Sequence, residues 1–236
     1  MARDPIEHSL SNMAAQHPSI SFPRDLFGGE RLSAKGIDTT QAATAEALST
    51  LCAAQKPIIA KSIINGKEIA GKPVKVRNPA KLEEIVGTSY SITTDAPLKK
   101  AFSSAKKSKW KSQFSARQRS DCLLKAADHL EANMDTLMAL CVREAGKTWQ
   151  DAIDEVREAV DFCRYYARQA LRPEFEMREP LGTIACISPW NFPLAIFLGQ
   201  VTASLAAGNA VICKPCLLYT SPSPRDATLS RMPSSA

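Results

Sequence analysis

The residues best suited to chemistry lie at the ends of two apolar runs. The segment SPWN, which ends in Asn191, closes an apolar run over residues 183–188, and Lys214 follows a second run over residues 210–213. An asparagine amide can donate to a developing oxyanion, and a lysine ammonium can donate to ribose hydroxyls or phosphate. Asn191 also suits the cap of the helix that follows, so the residue alone leaves both roles open.

The elements that hold these residues form a strand, helix and strand. The two apolar runs predict strands buried in a parallel sheet. Pro193 fits the first turn of the helix between them, since that turn leaves its amide donors unpaired, and Gly208 with Asn209 suits the helix end, where a positive φ is favoured. Such a crossover belongs to a doubly wound sheet, whose ligands lie beyond the carboxyl ends of the strands.

Three helices are predicted before this unit, over residues 116–131, residues 134–142 and from Thr148 onward. Thr148 followed by Asp151 resembles a capping box. The expected apolar faces are Leu123, Leu124, Ala127 and Leu130 on the first helix, Met134, Leu137 and Cys141 on the second, and Ala152, Val156, Ala159, Val160 and Cys163 on the third. Core packing explains the third stripe without any cofactor.

The first part of the chain is mixed in character. Residues 6–15 and 40–54 predict helices on either side of an extended stretch that contains proline. Asn65-Gly66 predicts a hairpin turn with positive φ, and Asn78-Pro79 ends the strand that follows. We therefore expect an interdomain linker or arm over residues 1–57 and a domain core from residue 58.

Composition and charge indicate a soluble globular protein of 236 residues, with 44% hydrophobic and 23% charged residues. The net charge is +6, and lysines cluster in PLKKAFSSAKKSKWKS. Leu98, Phe102 and Ala105 recur there at helical spacing, which favours a solvated helix face over a nucleic-acid site. No apolar run has the length of a membrane span, and MARDPIEHSLSNMAAQ lacks the order of a secretory signal, so we expect a cytoplasmic location.

Two short motifs offer other chemistry. Cys213 and Cys216 have the spacing of a dithiol redox pair, but no helical period follows them. The cysteines in the predicted helices and strands, Cys122, Cys141, Cys163, Cys186 and Cys213, are expected to be mostly small buried hydrophobes. Gly146-Lys147-Thr148 resembles the end of a phosphate loop, yet Cys141 stands where that loop needs glycine. We assign no metal site.

The segment SPWNFPLAIFLGQVTASLAAGNAVICKP resembles the cofactor-binding core of the aldehyde dehydrogenase superfamily. REAGKTWQDAIDEVREAVDFCRYYA and REPLGTIACISPWNFPLAIF are similar to its glutamate semialdehyde (1-pyrroline-5-carboxylate) dehydrogenase branch. HPSISFPRDLFGGERLSAKGID is similar to the segment that joins a flavin-dependent proline dehydrogenase domain to this dehydrogenase in the bacterial bifunctional proline utilization A family. The implied fold is α/β, a truncated aldehyde dehydrogenase fold with a Rossmann-like parallel sheet, N-terminal helices and a short β-hairpin arm over residues 58–215.

The resemblance implies NAD-dependent oxidation of L-glutamate 5-semialdehyde to glutamate in proline catabolism. A cysteine thiolate would attack the small-molecule aldehyde, an asparagine amide would hold the oxyanion, and a glutamate would activate water. Residue by residue, the resemblance implies the oxyanion role for Asn191, cofactor contacts for Ile187, Ser188, Pro189, Trp190 and Lys214, and the aldehyde pocket for Phe192 and Glu144. It also implies a homo-oligomeric parent, with FAD confined to an upstream domain.

The sequence departs from the family pattern after Pro215. The family places its nucleophilic cysteine and base glutamate downstream of the matching Lys-Pro, so we expect this chain alone to be inactive. CLLYTSPSPRD corresponds codon by codon to the end of a transposon-based sequencing adapter, and SRMPSS to a further part of one. We therefore expect residues 216–236 to be translated adapter, which the source nucleotide sequence would test.

Three alternatives stay open. One is a monofunctional semialdehyde dehydrogenase or another aldehyde dehydrogenase, decided by whether a proline dehydrogenase domain lies upstream. Another is a non-catalytic oligomerisation or linker module built from the arm and helices, which would fold stably by itself. The third is the dithiol oxidoreductase that uses Cys213 and Cys216.

Overall fold

The computed structural model describes residues 4–11 and 19–215, which fall into two units. The first ends at Ser33 and contains helix α1 (Pro5–Ser11) and a short 3-10 helix (Pro23–Asp25). Within it, the Ser33 amide donates to the Arg24 carbonyl over 2.9 Å. The helix predicted over residues 6–15 is confirmed as far as Ser11; residues 12–18 lie outside the described residues.

The second unit begins at Ala34 and holds the other elements. In chain order they are α2 (Ala42–Ala54), β1 (Ile58–Ile64), β2 (Lys67–Ile69), β3 (Lys72–Asn78), β4 (Lys81–Ser91), α3 (Asp95–Lys106), α4 (Trp110–Gln113), α5 (Ala116–Ala132), α6 (Met134–Ala145), α7 (Trp149–Ala170), α8 (Pro173–Glu176), β5 (Thr183–Ile187), α9 (Ala195–Ala206) and β6 (Ala210–Lys214). Helix α2 packs against α6 in this unit, while the linker boundary at residue 57 stays a prediction. The segment 216–236, expected to be adapter, lies outside the described residues.

A four-stranded sheet in the order β2-β1-β4-β3 forms the hairpin arm. The predicted turn is confirmed, since Asn65 and Gly66 have φ angles of 52° and 71° between antiparallel β1 and β2. Asn78 ends β3, as Asn-Pro predicted. Sequence reasoning missed the length of β4, which runs antiparallel to β3 and parallel to β1.

Helices α5, α6 and α7 pack together, and the stripe predicted on α7 is confirmed as fully buried. The face predicted for α5 is partly wrong, because Leu124 is 39% exposed. Arg119 and Ser120 occupy the buried face instead. Arg119 can be buried there because its guanidinium donates to the carbonyls of Phe114 and Ala206, at 2.7 and 3.2 Å.

Gly146 ends α6 in the left-handed region, with φ 65°, and Thr148 caps α7. The Thr148 hydroxyl accepts from the Asp151 amide over 3.1 Å and donates to the Asp151 carboxylate over 2.7 Å. The glycine of the Gly-Lys-Thr segment therefore serves as a helix C-cap.

Strands β5 and β6 pair in parallel around α9, which confirms the predicted crossover and the α/β fold class. Two details of the prediction were wrong. Pro193 lies before the helix, which begins at Ala195. The helix begins there because the amides of Leu194 and Ala195 donate to the carboxylate of Glu155 on α7. Strand β5 is buried on one face only, with Cys186 2% exposed and Ile187 65% exposed.

The first ten residues of the lysine-rich segment lie in helix α3, as predicted, where Lys99, Lys100 and Lys106 are exposed. Leu98 and Phe102 of this helix are 46% and 43% exposed. The cysteine prediction holds for Cys141, Cys163 and Cys186, which are buried. It was wrong for Cys122 and Cys213, which are exposed. Cys122 follows Asp121 on the outer side of α5, one position before the buried Leu123.

Candidate functional site

The carboxyl ends of β5 and β6 lie side by side. Ile187 pairs with Lys214 in the register of the two strands, and the Ser188 amide donates to the Lys214 carbonyl over 3.3 Å. The SPWN segment therefore leaves β5 where β6 ends. Lys214 itself is exposed. Main-chain geometry thus places both polar strand ends at one edge, as the sequence predicted for a ligand site.

The segment that leaves β5 offers both apolar surface and polar atoms. Ile187 is 65% exposed and Trp190 is 49% exposed, whereas Ser188 is 3% exposed. The Ser188 hydroxyl has no hydrogen-bond partner among the described residues. Pro189 is partly buried, and the Gln200 amide donates to the Ile187 carbonyl over 3.3 Å, which ties the end of β5 to α9.

Asn191 does not act as the helix cap that the residue type suggested. The N-cap of α9 is Leu194, and no side chain caps that helix end. Asn191 is exposed, and within residues 4–11 and 19–215 its carboxamide has no hydrogen-bond partner. The capping interpretation is therefore wrong, and the Asn191 amide is available to donate to a bound oxygen.

Glu155 on α7 is the feature of this site that sequence reasoning missed. Its side chain is fully buried, and its Oε1 accepts from the amides of Leu194 and Ala195 at 2.9 and 2.8 Å. Glu155 stands three residues after Ala152 and four before Ala159, on the buried stripe. A glutamate at such a position is the signal that could have revealed it, because a buried charge needs partners.

Lys147 joins Glu155 to Phe192. Its Nζ lies 2.8 Å from Glu155 Oε2, and the Lys147 side chain is 11% exposed. Glu155 Oε2 is therefore held by the ion pair with Lys147, and within the described residues it has no hydrogen-bond partner. The same Nζ lies 4.4 Å from the centroid of the Phe192 ring, in the geometry of a cation–π contact.

Glu144 lies at the end of α6, two residues before the Gly146 cap, and is half-buried. Burial raises the pKa of this carboxyl above its usual range. The structure brings Phe192 to Lys147, three residues beyond Glu144. Phe192 thus lies against the connection between α6 and α7, and Glu144 lies in the last turn of the helix that leads into it.

No described cysteine with a shifted pKa is activated as a nucleophile. Burial raises the pKa of Cys141 to about 12 and that of Cys163 to about 11. Desolvation, and then the neighbouring Cys186, raise the pKa of Cys213. Since a reactive thiol needs a lowered pKa, Cys213 lacks the property expected of a dithiol catalyst. Its predicted partner Cys216 lies outside the described residues.

A cavity of about 660 Å³ opens at the other end of the strand pair. It is lined by Thr183 and Ala210, the first residues of β5 and β6, and by lysines of the 106–111 segment. The residues assigned to the cofactor lie at the opposite, carboxyl ends of these strands. The cavity is therefore distinct from the predicted site.

The described ranges contain neither a cluster of metal ligands nor a helix suited to a membrane. No three or more His, Cys, Asp or Glu side chains of residues 4–11 and 19–215 are grouped so that they could hold a metal ion. Over the same ranges, every helix is too short or too polar to cross a membrane.

Known proteins resemble this chain in sequence and in fold. The aldehyde dehydrogenase family matches residues 66–220. The bifunctional protein PutA of Salmonella typhimurium is 40% identical over 230 residues, which are 91% of this chain and 17% of that protein. This chain thus spans about a sixth of the length of that relative.

Solved structures give the same result for the fold. A 1-pyrroline-5-carboxylate dehydrogenase from Thermus with bound NAD has a TM-score of 0.70 and 31% identity, covering 78% of this chain and 39% of that one. Proline utilization A from Bdellovibrio bacteriovorus, inactivated by N-propargylglycine, has a TM-score of 0.69 and 29% identity. The match covers 91% of this chain and 22% of that one. By its sequence match and its fold, the chain belongs to the aldehyde dehydrogenase family.

Proposed function

We propose that this chain supplies the first part of the cofactor-binding domain of an NAD-dependent dehydrogenase that oxidises L-glutamate 5-semialdehyde to L-glutamate. The observation that carries the proposal is the contact between Ser188 and Lys214, which puts the SPWN segment and the lysine at one sheet edge. The similarity to enzymes named for 1-pyrroline-5-carboxylate and for proline utilization supports the substrate class.

The residues at this edge fit a dinucleotide. Lys214 is an exposed cation at the end of β6 and would donate to the adenosine ribose. The exposed Ile187 and Trp190, together with Pro189, offer apolar surface and main-chain groups beside it, and the Ser188 hydroxyl is unpartnered in the described structure. When bound, NAD accepts the hydride from the aldehyde carbon.

Asn191 would act on the carbonyl oxygen of the aldehyde. When a thiolate adds to the carbonyl carbon, the oxygen becomes an oxyanion, and the Asn191 amide would donate to it. Phe192 would line the aldehyde pocket, with Glu144 at its border. The attacking cysteine and the glutamate that activates water would come from a later part of the enzyme, since the family places both beyond the segment that matches Lys214 and Pro215.

The bifunctional assignment rests on the extent of the similarity. The match to the PutA protein covers 91% of this chain, whereas the family match begins at residue 66. We propose that the parent enzyme carries an FAD-dependent proline dehydrogenase domain upstream and that it acts in the cytoplasm as a homo-oligomer. A monofunctional dehydrogenase would lack the upstream domain, which the nucleotide sequence before Met1 tests.

Binding and turnover of the 236-residue chain test the proposal. We expect calorimetry to detect NAD binding, K214A to weaken it about tenfold, and N191A to leave it unchanged, because loss of a charge-assisted bond costs about 1.4 kcal/mol or more. We expect no NADH from the chain with glutamate semialdehyde. Absence of NAD binding by a folded chain would contradict the cofactor assignment, and NADH production would contradict the inactivity.

A further inference from the structure

We propose that Glu155 and Lys147 are positioning residues that fix the loop of residues 188–194, and thereby Asn191, for the reaction. The inference rests on the proposed function for the role of Asn191, and on geometry for the rest. Neither residue would touch the reacting atoms. Both act through the main chain and the ring that flank Asn191.

Glu155 fixes the far end of the loop. One carboxylate oxygen, from a side chain with no exposed surface, accepts from the two consecutive amides of Leu194 and Ala195, at 2.9 and 2.8 Å. Bonds to a charged acceptor are short and strong, and burial strengthens them further. The start of α9 is thus bound to the second turn of helix α7.

Lys147 fixes the loop at a second point. Its ammonium, 11% exposed, lies 2.8 Å from Glu155 Oε2 and 4.4 Å from the centroid of the Phe192 ring. A desolvated cation over an aromatic face holds the ring against lateral movement. Phe192 directly follows Asn191, so the ring contact limits the rotation of the chain beside the amide.

The near end of the loop is held by the strands. The Ser188 amide bonds to the Lys214 carbonyl, so the loop is anchored at residue 188, at Phe192 and at Leu194 with Ala195. Between these anchors the Asn191 carboxamide has no partner among the described residues, so the anchors, not a side-chain bond, set where it points. An oxyanion donor must be preorganised to be effective, and this arrangement provides it.

Amide hydrogen exchange on the 236-residue chain tests the anchoring without reference to any reaction. We expect E155A to speed exchange at Leu194 and Ala195 at least tenfold beyond any change in global unfolding, measured in urea on the same samples. E155Q keeps one oxygen acceptor and should retain part of the protection. The double variant K147M/E155M removes both charges and the oxygen acceptor at similar side-chain size, so it replaces E155A if that variant does not fold, with the same expected gain in exchange.

The matched control is E131Q. Glu131 lies on α5 and forms an ion pair of 3.0 Å with Arg164, a buried residue of the helix that also carries Glu155. The Glu131 carboxylate also accepts from the Lys35 amide over 2.7 Å. We expect E131Q to change exchange at Leu194 and Ala195 only as far as it changes global stability. If E155A behaves in the same way as E131Q, the pair is merely structural and the proposal is wrong.

Kinetics of the longer dehydrogenase test the consequence for Asn191. We expect K147M to lower kcat at least tenfold with the KM for NAD unchanged, and K147R, which keeps the cation, to restore most of kcat. Equal losses in K147M and K147R, or a change in the KM for NAD alone, would overturn the positioning role. If the longer protein does not oxidise the aldehyde at all, the proposed function fails, while the exchange result still decides the anchoring.

Discussion

Arg143 donates through Nε to Glu84 Oε1 over 2.9 Å, which ties helix α6 to strand β4. The same guanidinium donates to the Gln55 carbonyl over 3.0 Å, at the residue that caps α2. Arg143 is 7% exposed, so its charge depends on these acceptors. The buried guanidinium of Arg143 thus joins three elements, namely strand β4 of the hairpin arm, the end of helix α2, and helix α6.

Replacing Glu84 tests this junction and its pH dependence. Hydrogen bonds from Arg143, and then from Asn78, hold the pKa of Glu84 below its usual range. The stabilisation is therefore present above the unfolded-state pKa and lost as the pH falls through the lowered folded-state pKa. We expect E84Q to reduce the free energy of unfolding by about 1 to 3 kcal/mol at neutral pH, and by less at about pH 3.

Urea unfolding of E84Q at the two pH values measures this effect. The control is E83Q, at the exposed neighbouring position on β4, which should change the free energy of unfolding by less than about 0.5 kcal/mol. A destabilisation of E84Q that is equal at both pH values would show that ionisation of Glu84 does not contribute.

Glu144 should show the opposite pH dependence. Burial raises its pKa, so the folded state holds the proton over a range where the unfolded chain has released it. Stability that is present below the unfolded-state pKa is lost as the pH rises through the raised folded-state pKa. We expect E144Q to be more stable than the parent chain at neutral pH and equal to it at about pH 3. The exposed Glu46 provides the control E46Q, and an E144Q variant less stable than the parent at neutral pH would contradict the prediction.

Gly146 should not tolerate a side chain. It has φ 65° at the end of α6, and a Cβ there would lie 3.1 Å from Pro79 Cγ. We expect G146A to lower the free energy of unfolding by about 1 to 2 kcal/mol, because the left-handed conformation that glycine adopts freely is unfavourable for alanine. G36A is the control, since Gly36 has no positive φ and has open space where a Cβ would lie. Equal thermal midpoints for the two variants would refute the prediction.

The Thr148 hydroxyl should contribute through its cap. It accepts from the Asp151 amide at the start of α7. We expect T148A to cost about 1 kcal/mol and T148S, which keeps the hydroxyl, to cost less than half of that. Chemical denaturation of the two variants compares them directly. A T148S variant as unstable as T148A would show that the methyl group matters more than the cap.

Local signals explain what sequence reasoning could predict. The stripe on α7, the turn at Asn65-Gly66 and the cap at Thr148 each depend on residues close in sequence, and each is confirmed. The crossover of β5, α9 and β6 followed from apolar runs and a glycine turn. These signals are local because periodicity and turn chemistry act over a few residues.

Long-range contacts explain what it missed. The start of α9 is set by Glu155, about forty residues earlier in the chain. The prediction that Pro193 lies in the first turn of this helix was therefore wrong. The buried Arg119 depends on the Ala206 carbonyl, 87 residues away. The roles of Asn191, Lys214, Phe192 and Glu144 came from family resemblance, because an exposed amide or lysine carries no local signal of its ligand.

Helix α7 has a consequence for the order of folding. At 22 residues it is about 33 Å long, and it packs against α5, α6, α8 and α9. The contacts of α7 with α5 span about as much sequence as those of β1 with β4, since Arg164 and Glu131 are 33 positions apart and Gly87 and Ile58 are 29 apart. Loop closure therefore costs the two pairings a similar entropy. Because α7 contacts helices on both sides of it in the sequence, Glu155 and the amides that it binds should become ordered together, in one cooperative unit.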